Sequence, residues 1–149
     1  MMNLTKDFTL NEMYESTTAI RLGIDNTPSD SVIKNLLLLC QKVLQPLREH
    51  MDESIKVSSG YRCYDLNKKI GGSKTSQHCL GQAADISCGE RTAEMYEYIK
   101  NNLIFDQLIW EFGDDHNPSW VHVSYSSTNN RKECLRAYKI NGKTVYQHI

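Results

Sequence analysis

The densest chemical signal lies in Ser76-Gln77-His78-Cys79-Leu80-Gly81-Gln82-Ala83-Ala84-Asp85. His78 and Asp85 stand seven positions apart, in a segment that reads as a loop running into a strand. An imidazole nitrogen and a carboxylate oxygen are both good Zn²⁺ ligands. Asp85 lies between Ala84 and Ile86, and a strand would point those neighbours to the opposite face. An acid in an apolar strand is expensive to bury unless it is paired or binds a cation. Gly81 and the two alanines keep the backbone slim, so the loop can fold back and bring His78 towards Asp85. The pair alone fits equally a capping histidine and a salt-bridged aspartate. A third candidate is His122, in Trp120-Val121-His122-Val123-Ser124. As a strand this segment turns Val121 and Val123 one way and Trp120, His122 and Ser124 the other. Two histidines and one carboxylate leave a metal one open position, the pattern of a catalytic rather than a structural zinc.

Water activated at such a position needs a base. Gln107, Ile109 and Glu111 share one face of a predicted strand, with Leu108, Trp110 and Phe112 on the other. A short loop, Gly113 to Ser119, joins it to the His122 strand. Antiparallel pairing of the two would set Glu111 near His122 on one face, where it could accept and relay a proton. His116, in the connecting loop, is the other candidate base. Arg62, just before the glycine-rich loop, is a fixed positive charge able to bind a carboxylate bidentately or steady an oxyanion. It could equally lie on the surface or pair with Asp65.

The elements that must position these groups are legible in outline. Thr9 and Glu12 fit a capping box, and the helix it opens can close at Gly23. A second helix starts near Ser29 or Asp30 and carries a wide apolar face from Val32 to Leu47; Pro46 should kink or shorten its end. Strands are expected over Ile55–Ser58, Ala83–Ser87, Asp106–Phe112 and Trp120–Tyr125, and helical segments over Asp65–Ile70 and Arg91–Asn101. Gly71 to Ser76 reads as a flexible loop, mobile until something fixes it. Leu135–Ile140 and Lys143–His148 flank Asn141-Gly142, a type I′ hairpin signal. Helices come first and strands predominate later, which predicts an α+β fold: one domain over residues 1–149, with a small antiparallel sheet packed against helices.

Composition excludes several classes. The chain has 149 residues, one domain's length, and 40% are hydrophobic, so it is not a disordered chain. Lys and Arg number 17 against 18 Asp and Glu, a balance that argues against nucleic-acid binding by bulk charge. The longest apolar run, Leu36 to Cys40, is far short of the ~20 residues that span a bilayer, so no membrane insertion is expected. Five cysteines without a C-x-x-C pair, behind a charged opening segment, predict cytoplasmic synthesis and reduced thiols used as small apolar residues.

Ser58-Ser59-Gly60-Tyr61-Arg62, the Ser76 to Asp85 segment and Trp120-Val121-His122-Val123 together resemble the zinc D-Ala-D-Ala carboxypeptidase and L-alanyl-D-glutamate endopeptidase family, which shares its core with the Hedgehog signalling domain. The resemblance is closest to small phage and prophage members and spans roughly Phe8 to Tyr125. It implies one Zn²⁺ per chain on His78, Asp85 and His122, with Arg62 meeting a substrate carbonyl or carboxylate. It further implies substrate contacts from Ser76 and a hydrolase acting on peptidoglycan stem peptides; Trp120 is a further candidate substrate contact. Several members carry the catalytic acid three residues before the last histidine; Ser119 stands there, which leaves Glu111 as the base. The resemblance also implies a cell-wall site of action, reached through a holin-type helper or in a phage particle. A Hedgehog-like module that binds zinc and a partner without cutting is the alternative, and a metal-free binding domain is the third.

Overall fold

In the computed structural model, which describes residues 2–149, the elements run α1 (Leu10–Tyr14), α2 (Thr17–Leu22), α3 (Asp30–Leu39), α4 (Gln45–Met51), β1 (Lys56–Ser59), α5 (Tyr64–Lys69), β2 (Ala83–Ser87), α6 (Thr92–Asn102), β3 (Gln107–Glu111), β4 (Trp120–Ser124), β5 (Glu133–Ile140) and β6 (Lys143–His148). Single 3₁₀ turns at Gln77–Leu80 and Gly89–Arg91 precede β2 and α6. Among the described residues no helix is long and apolar enough to cross a membrane.

The N-terminal helices follow their capping chemistry. Thr9 and Glu12 form the capping box, each side chain accepting from the other's backbone N–H. The single helix expected from there to Gly23 is two, because Glu15 turns extended after the first and Ser16 caps the second by accepting from Ala19 N–H. The long apolar helix is also interrupted. Between α3 and α4 the chain widens into a π-helical turn over Cys40–Leu44, where Gln45 N–H reaches back five residues to the Cys40 carbonyl. Pro46, with no N–H to give, then sits in the first turn of α4, the position that tolerates it.

The strands form one six-stranded sheet in the order β1-β2-β4-β3-β5-β6. Four of its neighbouring pairs are antiparallel and β3 with β5 is parallel, so the sheet is mixed. The reason is the short connection after β4. Ser124 ends β4 beside the start of β3, and the following loop crosses that same end, held where Lys132 and Glu133 N–H groups reach the Phe105 and Asp106 carbonyls. A strand begun there must run with β3.

Alternation divides the sheet. Ala84, Ile86, Leu108, Trp110, Val121 and Val123 turn inward and pack with Leu36, Val43 and Leu47 of the long helical segment and Met95, Tyr96 and Ile99 of α6. The opposite face carries Asp85, His122, Ile109 and Glu111. The hairpin turn has the positive φ angles that Asn141-Gly142 predicts, 50° and 77°. All five cysteines are free; Cys40, Cys79 and Cys88 are buried, and Cys63 and Cys134 half-buried.

Gly60 fixes the approach of α1 to the sheet. Tyr61 N–H donates to the Met13 carbonyl, and a Cβ on Gly60 would stand 2.2 Å from that oxygen. Gly60→Ala should therefore lower unfolding free energy by about 1–3 kcal/mol, as overpacking against backbone does, read as an earlier urea midpoint. An unchanged midpoint would show that α1 can retreat freely.

Candidate active site

Three elements converge on one point. His78 comes from the 3₁₀ turn before β2, Asp85 from the middle of β2, and His122 from β4, where it is the register partner of Asp85. Asp85 Oδ1 lies 3.3 Å from His78 Nε2 and 3.2 Å from His122 Nδ1. All three donor atoms fall within 4.8 Å of one another. Metal–ligand distances of roughly 2.0–2.1 Å at tetrahedral angles place neighbouring donors roughly 3.3 Å apart, so this spacing fits a zinc ion.

Local structure orients each donor. His78 Nδ1–H donates to the Gly60 carbonyl at 2.7 Å, which leaves Nε2 with a free lone pair facing Asp85. Ser76 Oγ accepts from His78 N–H and caps the 3₁₀ turn, and Gly81 closes it in the left-handed region. Burial presses the His78 pKa below the usual histidine value, against the pull of Asp85, so the ring is neutral as a ligand must be. For Asp85, burial alone would push the carboxyl up. The hydrogen bond from His122 and the closeness of both imidazoles more than offset this and hold it well below the usual range. A bulge in β1, between Val57 and Ser59, lies against Asp85, and Ser58 Oγ donates to the Asp85 carbonyl.

Glu111 lies on the same face. Its register partner is Trp120, two residues from His122 in β4. The side chain is only 7% exposed and lines the cleft that holds the three donors. Burial pushes its pKa up to about 7, against the pull of His122 and with a smaller push from Asp85. Arg62 enters the same cleft from the segment after β1, and its N–H donates to the His78 carbonyl. Its guanidinium makes no ion pair with Asp65; Nε is buried and has no hydrogen-bond partner among the described residues. Burial lowers the Arg62 pKa, with the charge of Asp85 opposing. Ser76 and Trp120 also line the cleft.

Two sequence expectations change here. Phe112 does not share the inward face with Leu108 and Trp110. Its φ of 57° and the 70° of Gly113 turn the chain left-handed straight after Glu111, swinging the ring back to the cleft side. There it packs edge-on against Trp120, with ring centroids 5.4 Å apart, and against Ile109 and Leu135. His116, the other candidate base, is exposed in a loop outside the cleft, with its N–H bound to Asp114 Oδ1. Ser119 is exposed too, its N–H donating to the Glu111 carbonyl.

The cleft has a volume of about 980 Å³. Its loop wall, Gly71 to Ser76, is fixed by buried Asn67, whose Nδ2 donates to the Ser73 carbonyl at 2.8 Å. Near it, Gln77 donates to Asp106, which Arg131 grips through Nε and Nη2. The far wall is the β5–β6 hairpin, with Leu135, Lys139, Thr144 and Tyr146 facing the cleft. Sequence reasoning missed these residues. Gln77 adjoins His78, a usable signal; the hairpin carried only a turn signature.

A family model described as Peptidase M15 matches residues 6–124. The chain belongs to the peptidase M15 family. No curated protein matches it. M15 peptidases are zinc-dependent, and the donor set of this M15 peptidase suits that metal. His78, Asp85 and His122 are the residues that would hold it.

Two measurements check this geometry. Asp85→Ala should reduce zinc, measured in protein dialysed against zinc and then buffer, from one per chain to background; retained zinc would place the metal elsewhere. Glu111 has its folded pKa raised, so its ionisation destabilises the metal-free fold as pH rises from the ordinary glutamate range to about 7. Glu111→Gln should therefore raise metal-free stability by about 1–3 kcal/mol at about pH 8 and leave it nearly unchanged at about pH 4, by chemical denaturation. A loss at both pH values would mean that the carboxylate supports the fold.

Proposed function

We propose that this M15 peptidase hydrolyses peptide bonds beside D-amino acids in peptidoglycan stem peptides. The observation that carries the reading is Glu111: a carboxyl buried in the cleft, on the same sheet face as three converging metal donors, with a pKa of about 7. The peptidase chemistry follows from the family, and the wall substrate from the resemblance of the Arg62, His78–Asp85 and His122 segments to wall-cutting members.

Bound at His78, Asp85 and His122, a zinc ion supplies Lewis-acid polarisation of the scissile carbonyl and acidifies water. The protein does the rest. Glu111 accepts the proton of the attacking water and delivers it to the leaving amine, a role its pKa near neutrality suits. Arg62, which lines the cleft with the metal donors, donates to the developing oxyanion or to a substrate carboxylate. Trp120, the register partner of Glu111, packs edge-on against Phe112 and gives the cleft an apolar floor beside the acid. Ser76 presents the loop edge to the peptide while its Oγ holds His78 N–H. Made in the cytoplasm, the protein would reach the wall through a holin-type helper or inside a phage particle.

Ser119, standing where several members of the family it resembles place an acid, favours a non-catalytic zinc module as the second reading. Mass spectrometry of stem peptides decides between them. Zinc-loaded protein should release a defined fragment, and chelation should abolish it. Glu111→Gln should retain zinc while losing roughly 100- to 10,000-fold in rate, the usual contribution of a general base. Equal cleavage after complete metal removal would refute the hydrolase, and a zinc-loaded protein that cuts no stem peptide would be the module.

A further inference from the structure

The family match ends at residue 124, yet the cleft does not. Its far wall is built by the β5–β6 hairpin, whose register carries the catalytic face of the sheet outward. Trp120 pairs with Glu111, Glu111 with Ala137, and Ala137 with Tyr146, so these four form one row. Ala137 is fully buried and has the smallest side chain in the row, which opens the space between Glu111 and Tyr146. Lys139 pairs with Thr144, placing it diagonal to Tyr146 on the same face, within reach of a long side chain.

Three cations line the cleft: Arg62, Arg131 and Lys139. Arg131 is committed to Asp106 at 2.8 Å. Lys139 has no acid within ion-pairing distance among the described residues, and its ammonium stands 5.6 Å from the centre of the Phe112 ring. Phe112 in turn packs on Trp120, next to Glu111. The cleft thus has a free cation at each end, Arg62 beside the metal donors and Lys139 on the hairpin, with the acid Glu111 between them.

We propose that Lys139 and Tyr146 form a carboxylate-binding subsite, in which the ammonium and the phenol O–H both donate to a free carboxylate on the peptide flank remote from Arg62. The inference rests on the peptidase reading for the class of ligand, and it assigns the hairpin a role in selecting acidic peptides. Lys139 and Tyr146 act as specificity residues, outside the reacting atoms.

Binding, not turnover, is the readout. Zinc-loaded Glu111→Gln protein would be titrated calorimetrically with the tetrapeptide L-Ala-γ-D-Glu-L-Lys-D-Ala. The same titration would use two forms of it, amidated at the D-Glu α-carboxyl or at the C-terminus. One amide should bind about fivefold more weakly than the free acid, the most an exposed ion pair usually supplies, and about 0.5 M NaCl should shrink the difference. Adding Lys139→Met should abolish that preference without changing zinc content, and Tyr146→Phe should reduce it in the same direction. A preference that survives Lys139→Met, equal affinity for all three peptides, or no binding of any of them would overturn the subsite. Carboxylate-dependent binding by a protein whose unmutated form cuts nothing would sink the peptidase reading and leave the subsite standing.

Discussion

A carboxylate held between two imidazoles organises this molecule. Asp85 sits in the middle of an interior strand of the sheet, among small or apolar residues, where an isolated charge would be costly. Its oxygen meets His78 from the preceding turn and His122 from the neighbouring strand. The three groups satisfy one another only when the loop before β2 folds back and β2 pairs with β4 in one register. A slip of one residue would turn Asp85 and His122 to opposite faces. The same contact that makes the donor set therefore pins the sheet.

Around it, the sheet separates tasks by face. The inward side is aliphatic and aromatic, closed by the interrupted α3–α4 segment and by α6, and supplies the packing. The other side carries groups that a stability argument alone would not put there. Among the described residues, Glu111 is buried without a cationic partner and Arg62 hides an unpaired Nε. Such groups are a burden on the fold and an asset to a proton-transferring cleft. The left-handed Phe112 belongs with them, since its backbone conformation is what brings an aromatic ring beside the acid.

The hairpin completes the enclosure. Its placement follows from a loop of fixed reach that leaves β4 and crosses the end of β3, anchored by Arg131 on Asp106. That anchor also takes the Gln77 side chain, beside a metal donor. One buried acid thus joins the crossing loop to the turn bearing His78, and couples the position of the far wall to the position of the near one.

From the residues alone came what is local. Period-two alternation put His122 and Glu111 on the faces they occupy, capping residues marked the helix starts, and Asn-Gly marked the last hairpin. The chemical types at His78, Asp85 and His122 made them candidate donors, because ligand chemistry is a property of the side chain, and the family resemblance singled them out. The rest depended on contacts between distant segments. The parallel β3–β5 pair follows from which end of the sheet a loop crosses, and the placing of His116 outside the cleft lining from the course of its loop. Phe112 changed faces through a single φ angle that its residue type does not announce. Tyr146 and Lys139 reached the cleft only because strand order set them beside Glu111, and order in a sheet is decided by packing and loop closure, not by any one strand's sequence.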